Sequence, residues 1–242
     1  MLVLGIDTAT KVLNLAIVNN SEVIIDYKVN RMEKTHSTLI LSALNNMLNL
    51  SGIKLKEIEG IAVSIGPGSF TGLRIGLSTA KGLAFALSIP LIGVSSLESS
   101  AFSWLSLPGI LCPIIKARRG EYYFALYEYK NKDSSIVKDY QCAKWVEIKQ
   151  ELLEYRDHIY IFGDGIEDII KDEKIENYGH IANIYFINNS LNTANAVSVA
   201  LLGEERIPKK ECDDIYKLLP LYISKSAAEV LIEKDPVLII KK

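Results

Sequence analysis

Short apolar runs bounded by turn residues alternate along the chain with longer stretches whose apolar positions recur every three to four residues, the pattern of strands alternating with helices. Leu2 to Ile6 and Val12 to Val18 read as strands, and the polar turn Asn19-Asn20-Ser21 leads into a third, Glu22 to Val29. After a polar link, Thr35 or Ser37 can start a helix to about Leu50, with Ile40, Leu44, Met47 and Leu48 on one face and Gly52 ending it. Ile61 to Ile65 is apolar and rich in β-branched residues, as suits a strand buried on both faces. A helix from about Thr71 to Ser88, a strand from Leu91 to Val94 and a helix from Ser96 to Trp104 follow. The order is βββαβαβα.

The second half repeats that order in pattern, though not in residues. Ile110 to Ala117 and Glu121 to Tyr129 read as a hairpin, Val137 to Ala143 as a third strand and Trp145 to Leu153 as a helix. Ile159 to Phe162 is a strand followed by Gly163-Asp164-Gly165 and a weak helix; Ile184 to Ile187 is a strand and Thr193 to Gly203 a helix. Two such lobes define the two-lobed actin-like α/β architecture (ASKHA, a ribonuclease H-like repeat), with a nucleotide cleft between lobes. Pro108 and Gly109 mark the boundary, which gives lobes of residues 1–106 and 107–242. Pro208 and Pro220 break the C-terminal region, where Ser226 to Glu233 is expected to form a last short helix.

Composition narrows the function classes. With 242 residues, 49% hydrophobic and 23% charged, the chain has the make-up of an ordinary soluble globular protein with a sizeable core. Its net charge of -2 argues against a large basic surface that grips nucleic acid alone. Cys112, Cys142 and Cys212 are far apart and lack metal spacing, which fits buried free thiols in a reducing compartment. Strand residues open the chain with no basic region before an apolar core, and the longest nearly apolar stretch, Leu83 to Val94, contains Pro90. A cytoplasmic protein without a membrane span is expected.

The run Gly66-Pro67-Gly68-Ser69-Phe70-Thr71-Gly72 joins a strand to a helix. It misses the Walker and dinucleotide fingerprints: a Walker loop needs Gly-Lys at 71 and 72, where the chain has Thr71 and Gly72. Ser69 has no nearby base for a nucleophile arrangement. Along the helix, Gly72, Gly76, Ala80, Ala84 and Ser88 recur every fourth residue and form a ridge nearly bare of side chains. Each glycine costs roughly 1 kcal/mol relative to alanine, so close packing must offset it. The ridge suits packing on the chain's own sheet or helices, the ordinary case, and equally a docking surface for another chain.

Gly5-Ile6-Asp7-Thr8-Ala9-Thr10, His36-Ser37 and the run from Gly66 to Gly76 resemble the TsaB family, also called YeaZ. Ala80-Lys81-Gly82-Leu83-Ala84 and Gly93-Val94-Ser95-Ser96-Leu97 extend the likeness, which covers residues 1 to about 100. Beyond, it is limited to Ala117-Arg118-Arg119-Gly120-Glu121-Tyr122, Gly163-Asp164-Gly165 and Pro220-Leu221-Tyr222. The resemblance implies a non-catalytic subunit needed for threonylcarbamoyladenosine formation in tRNAs that read ANN codons. It implies docking on the transferase TsaD, the ATPase TsaE as third member, a homodimer in isolation and only indirect contact with tRNA. It implies no cofactor required by this chain, with ATP or ADP and Mg²⁺ in the complex. The family docks through helices of its first lobe, which here gives His36, Ile40, Leu44, Met47, Gly72, Ile75, Gly76, Thr79 and Ala80 as the partner interface. This chain departs from the family at Lys116, where an aspartate is usual, and at Tyr222-Ile223-Ser224, where Tyr-Leu-Arg is usual.

Asp7, Thr8 and Thr10 occupy the turn that faces phosphates and Mg²⁺ in actin-like proteins; alternatively they only satisfy turn amides. The opposing hairpin offers Lys116, Arg118 and Arg119 rather than a second carboxylate, so phosphotransfer by this chain alone lacks a partner for the metal. His36 has Ile40 one turn on rather than a second histidine, and His158 and His180 have no paired spacing, so no metal site and no catalytic residue is assigned. Lys116, Arg118, Arg119, Tyr122 and Tyr123 form a small cationic and aromatic cluster that suits either a tRNA contact or a solvated hairpin tip. The rival reading is an ATP-dependent kinase or ATPase acting alone; a metallopeptidase is disfavoured by the lack of paired ligands.

Overall fold

The computed structural model describes residues 1–30, 36–118, 120–130, 133–175, 179–187 and 195–223. The chain begins with β1 (Leu2–Asp7), β2 (Val12–Asn19) and β3 (Glu22–Asn30), then α1 (His36–Ser51), β4 (Gly60–Gly66), α2 (Phe70–Leu87), β5 (Leu91–Ser95) and α3 (Ser96–Phe102). The second half gives β6 (Ile110–Lys116), β7 (Glu121–Lys130), β8 (Asp133–Lys144), α4 (Trp145–Leu152), β9 (Ile159–Phe162), α5 (Ile166–Glu173), β10 (His180–Ile181), β11 (Ile184–Phe186) and α6 (Ala196–Arg206). The expected βββαβαβα order holds in both halves. β10 is an addition the pattern did not announce, because two residues are too few to carry a period. The C-terminal helix expected at 226–233 lies outside the described residues.

The first sheet has the order β3-β2-β1-β4-β5, with β1 antiparallel to β2 and parallel to β4. The second has the order β10-β11-β9-β6-β7-β8, which repeats the first sheet from β8 to β11 and adds β10 at the edge. This is the actin-like arrangement of two related α/β sheets. α1 and α2 cover one face of the first sheet, where Leu4, Ile6, Leu13, Leu15 and Ile17 meet Ile40, Leu44, Met47, Leu77 and Ala80. α6 covers the other face, with Val199, Ala200 and Leu202 against Val3, Val18, Ala62 and Ile92. The chain passes from the first sheet to the second between β5 and β6, and α6 and the segment after it return to the first sheet.

The small-residue ridge is used by the chain itself. Gly72, Gly76, Ala80 and Ala84 are buried, and Thr8 Oγ1 donates to the Gly72 carbonyl at 2.7 Å. A Cβ on Gly76 would fall well inside contact distance of Thr8 Oγ1. The reason for glycine is therefore the approach of the β1–β2 turn. Of the residues expected at a partner interface, Gly72, Gly76, Ala80, Ile40, Leu44 and Met47 are buried in the chain's own core. Ile75 and Thr79 remain half-buried on the flank of α2. His36 begins α1, and its side chain lies outside the described residues.

Candidate functional site

Asp7 closes β1 and Asn14 lies on β2, at the turn that a nucleotide would face in an actin-like cleft. Asp7 is 3% exposed. Its Oδ1 accepts the Ala9 N–H at 2.9 Å, and its Oδ2 accepts the Asn195 N–H at 2.9 Å. Asn14 Oδ1 accepts the Ala196 N–H at 2.6 Å. Two side chains of the first hairpin thus satisfy the first free amides of α6, where the helix dipole favours a carboxylate. Gly5 makes room for this docking, since a Cβ there would collide with the Ala196 carbonyl. Asn14 and Asn195 gave no sequence signal, because they are joined only by the return of α6.

Thr8 is fully buried, and its hydroxyl is committed to Gly72. Thr10 Oγ1 accepts the Val12 N–H at 3.2 Å, as a turn residue does. The glycine loop closes over the same turn: Ser69 N donates to the Ala9 carbonyl at 2.7 Å, and a Cβ on Gly68 would meet that carbonyl at 2.5 Å. Ser69 Oγ caps α2 by accepting the Gly72 N–H at 3.2 Å. A carboxylate with both oxygens on backbone donors and a fully buried threonine do not fit Mg²⁺ or a nucleotide phosphate.

The opposing hairpin ends in Lys116. Its N–H donates to Asp164 Oδ1 at 2.7 Å, and its ammonium pairs with Asp168 at 2.9 Å. The Asp168 bond holds the lysine pKa above its ordinary value. Burial raises the Asp164 carboxyl, against the lowering effect of the Lys116 N–H. Tyr122 of the cationic cluster is buried, its ring against Gly165, while Tyr123 is half-buried. Arg119 lies outside the described residues. Among the described residues, no three His, Cys, Asp or Glu side chains gather as a metal site, and no helix is long and apolar enough to cross a membrane.

What the two first-lobe helices leave outward is different in character. Leu41 on α1 is 61% exposed, and Phe85 on α2 is 64% exposed. Arg74, Ser78 and Gly82 are also exposed, and a Cβ on Gly82 would meet nothing within 4 Å.

Residues 29–235 match the family model of TsaD, the tRNA N6-adenosine threonylcarbamoyltransferase. The tRNA threonylcarbamoyladenosine biosynthesis protein TsaB of Bacillus subtilis is 34% identical over 95% of this chain and 96% of its own length. A Pseudomonas aeruginosa structure described as similar to peptidase YEAZ superposes with a TM-score of 0.77 at 21% identity, covering 92% of this chain and 99% of the other. The ethanolamine utilization protein EutJ of Carboxydothermus hydrogenoformans shares the fold with a TM-score of 0.51 at 12% identity, over 83% of this chain and 89% of that one. With full-length identity above the level at which folds and families coincide, and the same two-sheet architecture, the chain belongs to the TsaB (YeaZ) family of tRNA threonylcarbamoyladenosine biosynthesis proteins.

Proposed function

We propose that this chain is a non-catalytic subunit of tRNA threonylcarbamoyladenosine biosynthesis, acting by docking on a TsaD-type transferase, with TsaE as third member. The observation that carries the non-catalytic half is the use of Asp7: its carboxylate is buried and spent on the backbone of Ala9 and Asn195. Asp7 is thus held by backbone amides, and at the opposing hairpin Lys116 is ion-paired with Asp168, an arrangement that supports a structural rather than a metal-activating use of this turn. Docking uses the outward sides of α1 and α2, with Leu41 and Phe85 as apolar anchors and Gly82 as the bare spot between side chains. The same faces serve the homodimer in isolation, and any ATP or ADP and Mg²⁺ belongs to the assembled complex. The partner activates by binding one conformation of the transferase better than another. tRNA contact by this chain is secondary.

Gly82→Arg tests the docking claim directly. The position is open, so the variant is expected to melt at or above the wild-type temperature, since glycine within a helix is unfavourable. It is expected to lose co-elution with the transferase and at least ten-fold in tRNA modification by the reconstituted assembly. Gly76→Leu is the contrast: it acts on the fold, with an expected loss of about 1–3 kcal/mol from overpacking against Thr8. Full modification with Gly82→Arg would refute the docking face. ATP turnover by the isolated chain would favour the kinase or ATPase reading instead.

A further inference from the structure

The second sheet presents a row of rings that the docking helices leave unused. β9 and β11 run parallel with Tyr160 opposite Tyr185, and β10 sets His180 opposite Tyr185 from the other side. The three side chains therefore stand abreast on one face, and His158, two residues before Tyr160, joins them. Ring centroids are 5.6 Å apart for Tyr160–Tyr185, 5.3 Å for His180–Tyr185 and 5.2 Å for His158–Tyr185. The first two pairs are tilted by only 31° and 32°, and the third is near edge-on at 69°. Both histidines are exposed and both tyrosines half-buried. Ile159, Ile161, Ile184 and Phe186, which alternate with the row, are the buried positions of these strands, while Tyr160 packs against the core only in part.

The row is also held in place. Asn183 Nδ2 donates to the carbonyls of Tyr155 and Asp157, at 2.9 and 2.7 Å, which ties the approach to β9 to the β10–β11 turn. His180 Nδ1 lies 3.1 Å from the Ala182 carbonyl. Arg156 is exposed two residues before His158.

We propose that Tyr160, Tyr185 and His180, with His158, form a stacking platform for an unpaired RNA base. The proposal rests on the reading that this chain works in tRNA modification. Specific RNA recognition favours unpaired bases stacked on tyrosine or histidine, because every base has a π-face and splayed bases leave it open. Imidazole nitrogens add a donor and an acceptor for the base edge, and Arg156 supplies a cation for an adjoining phosphate. A net charge of -2 argues against a large basic surface for a duplex backbone, and stacking is the contact that does not require one.

The test uses the full chain in the reconstituted assembly with tRNA carrying 4-thiouridine, cross-linked by light and mapped by peptide mass. Cross-links are expected within residues 156–160 or 180–185. Tyr160→Ala/Tyr185→Ala is expected to weaken tRNA binding by the assembly about ten-fold, while Tyr160→Phe/Tyr185→Phe, which keeps the rings, is expected to bind as wild type. Cross-links elsewhere only, or equal binding by a folded alanine variant, would overturn the platform. If the assembly modifies tRNA equally well without this chain, the functional reading itself falls; if it needs the chain but ignores the alanine pair, only the platform does.

Discussion

A carboxylate's surroundings decide whether it serves chemistry or structure, and Asp7 and Asp164 illustrate two structural uses. Asp7 accepts two backbone N–H groups, one of them at the head of α6. Asp164 accepts the Lys116 N–H, yet burial outweighs that bond and raises its pKa. A carboxyl with a raised folded-state pKa binds its proton more readily in the folded than in the unfolded chain. Its charge therefore lowers stability at neutral pH, and the deficit fades as pH falls through the raised value toward the unfolded one. Asp164→Asn keeps an oxygen for the Lys116 N–H and removes the charge. It is expected to be at least as stable as wild type at pH 7 by urea unfolding, with the difference vanishing near pH 4. Asp164→Ala leaves the Lys116 N–H without its acceptor and is expected to lose about 1 kcal/mol at either pH. An asparagine variant clearly less stable than wild type at pH 7 would show that the Lys116 and Lys11 attractions outweigh burial.

Elements with a period were legible in the sequence and contacts across the fold were not. Val12 to Val18, Ile159 to Phe162 and the helix from residue 71 were each placed to within a residue or so of β2, β9 and α2, because burial on one or both faces writes its spacing into the chain. The ridge of α2 was legible as a ridge, but its direction was not: spacing cannot say whether Gly76 meets Thr8 or another molecule. The segment after α6 was read only as broken by Pro208 and Pro220, and its role depends on edges that sequence does not show. β5 is one of the two edge strands of the first sheet. Asp213 covers it, donating its N–H to the Leu91 carbonyl at 2.9 Å and accepting the Gly93 N–H at 2.8 Å. Leu221 N then donates to the Ile65 carbonyl at 2.7 Å, and Tyr222 joins Phe70 and Arg74 at the start of α2. Exposed strand edges invite pairing between chains, so this segment protects as well as binds. Asp213→Ala is expected to lose about 1 kcal/mol and to raise light scattering at high concentration. A stable variant that stays monodisperse would remove the edge-covering role.

At the scale of the molecule, the two sheets are joined by α6, which comes from the second half and covers the first sheet. Asp7 and Asn14 hold its head, Asn195 Nδ2 donates to Ser103 Oγ at 2.5 Å, and Arg206 at its tail pairs with Glu98 on α3. α6 is thereby clasped onto the first half by hydrogen bonds at its head and an ion pair at its tail. The clasp also predicts how the protein unfolds. Both tryptophans pack on the core of the second sheet, Trp104 against Phe162 and Trp145 against Phe186, so their fluorescence reports that sheet, while far-ultraviolet circular dichroism reports the whole chain. With α6 docked, the two signals are expected to give one coincident urea transition. Asn14→Ala removes the acceptor for the Ala196 N–H at the head of α6 and the donor to Asp26 on β3. Its circular-dichroism midpoint is expected to fall below its fluorescence midpoint, because the first sheet loses its cover while the second keeps its core. Midpoints that fall together would mean that contacts other than the head of α6 couple the lobes.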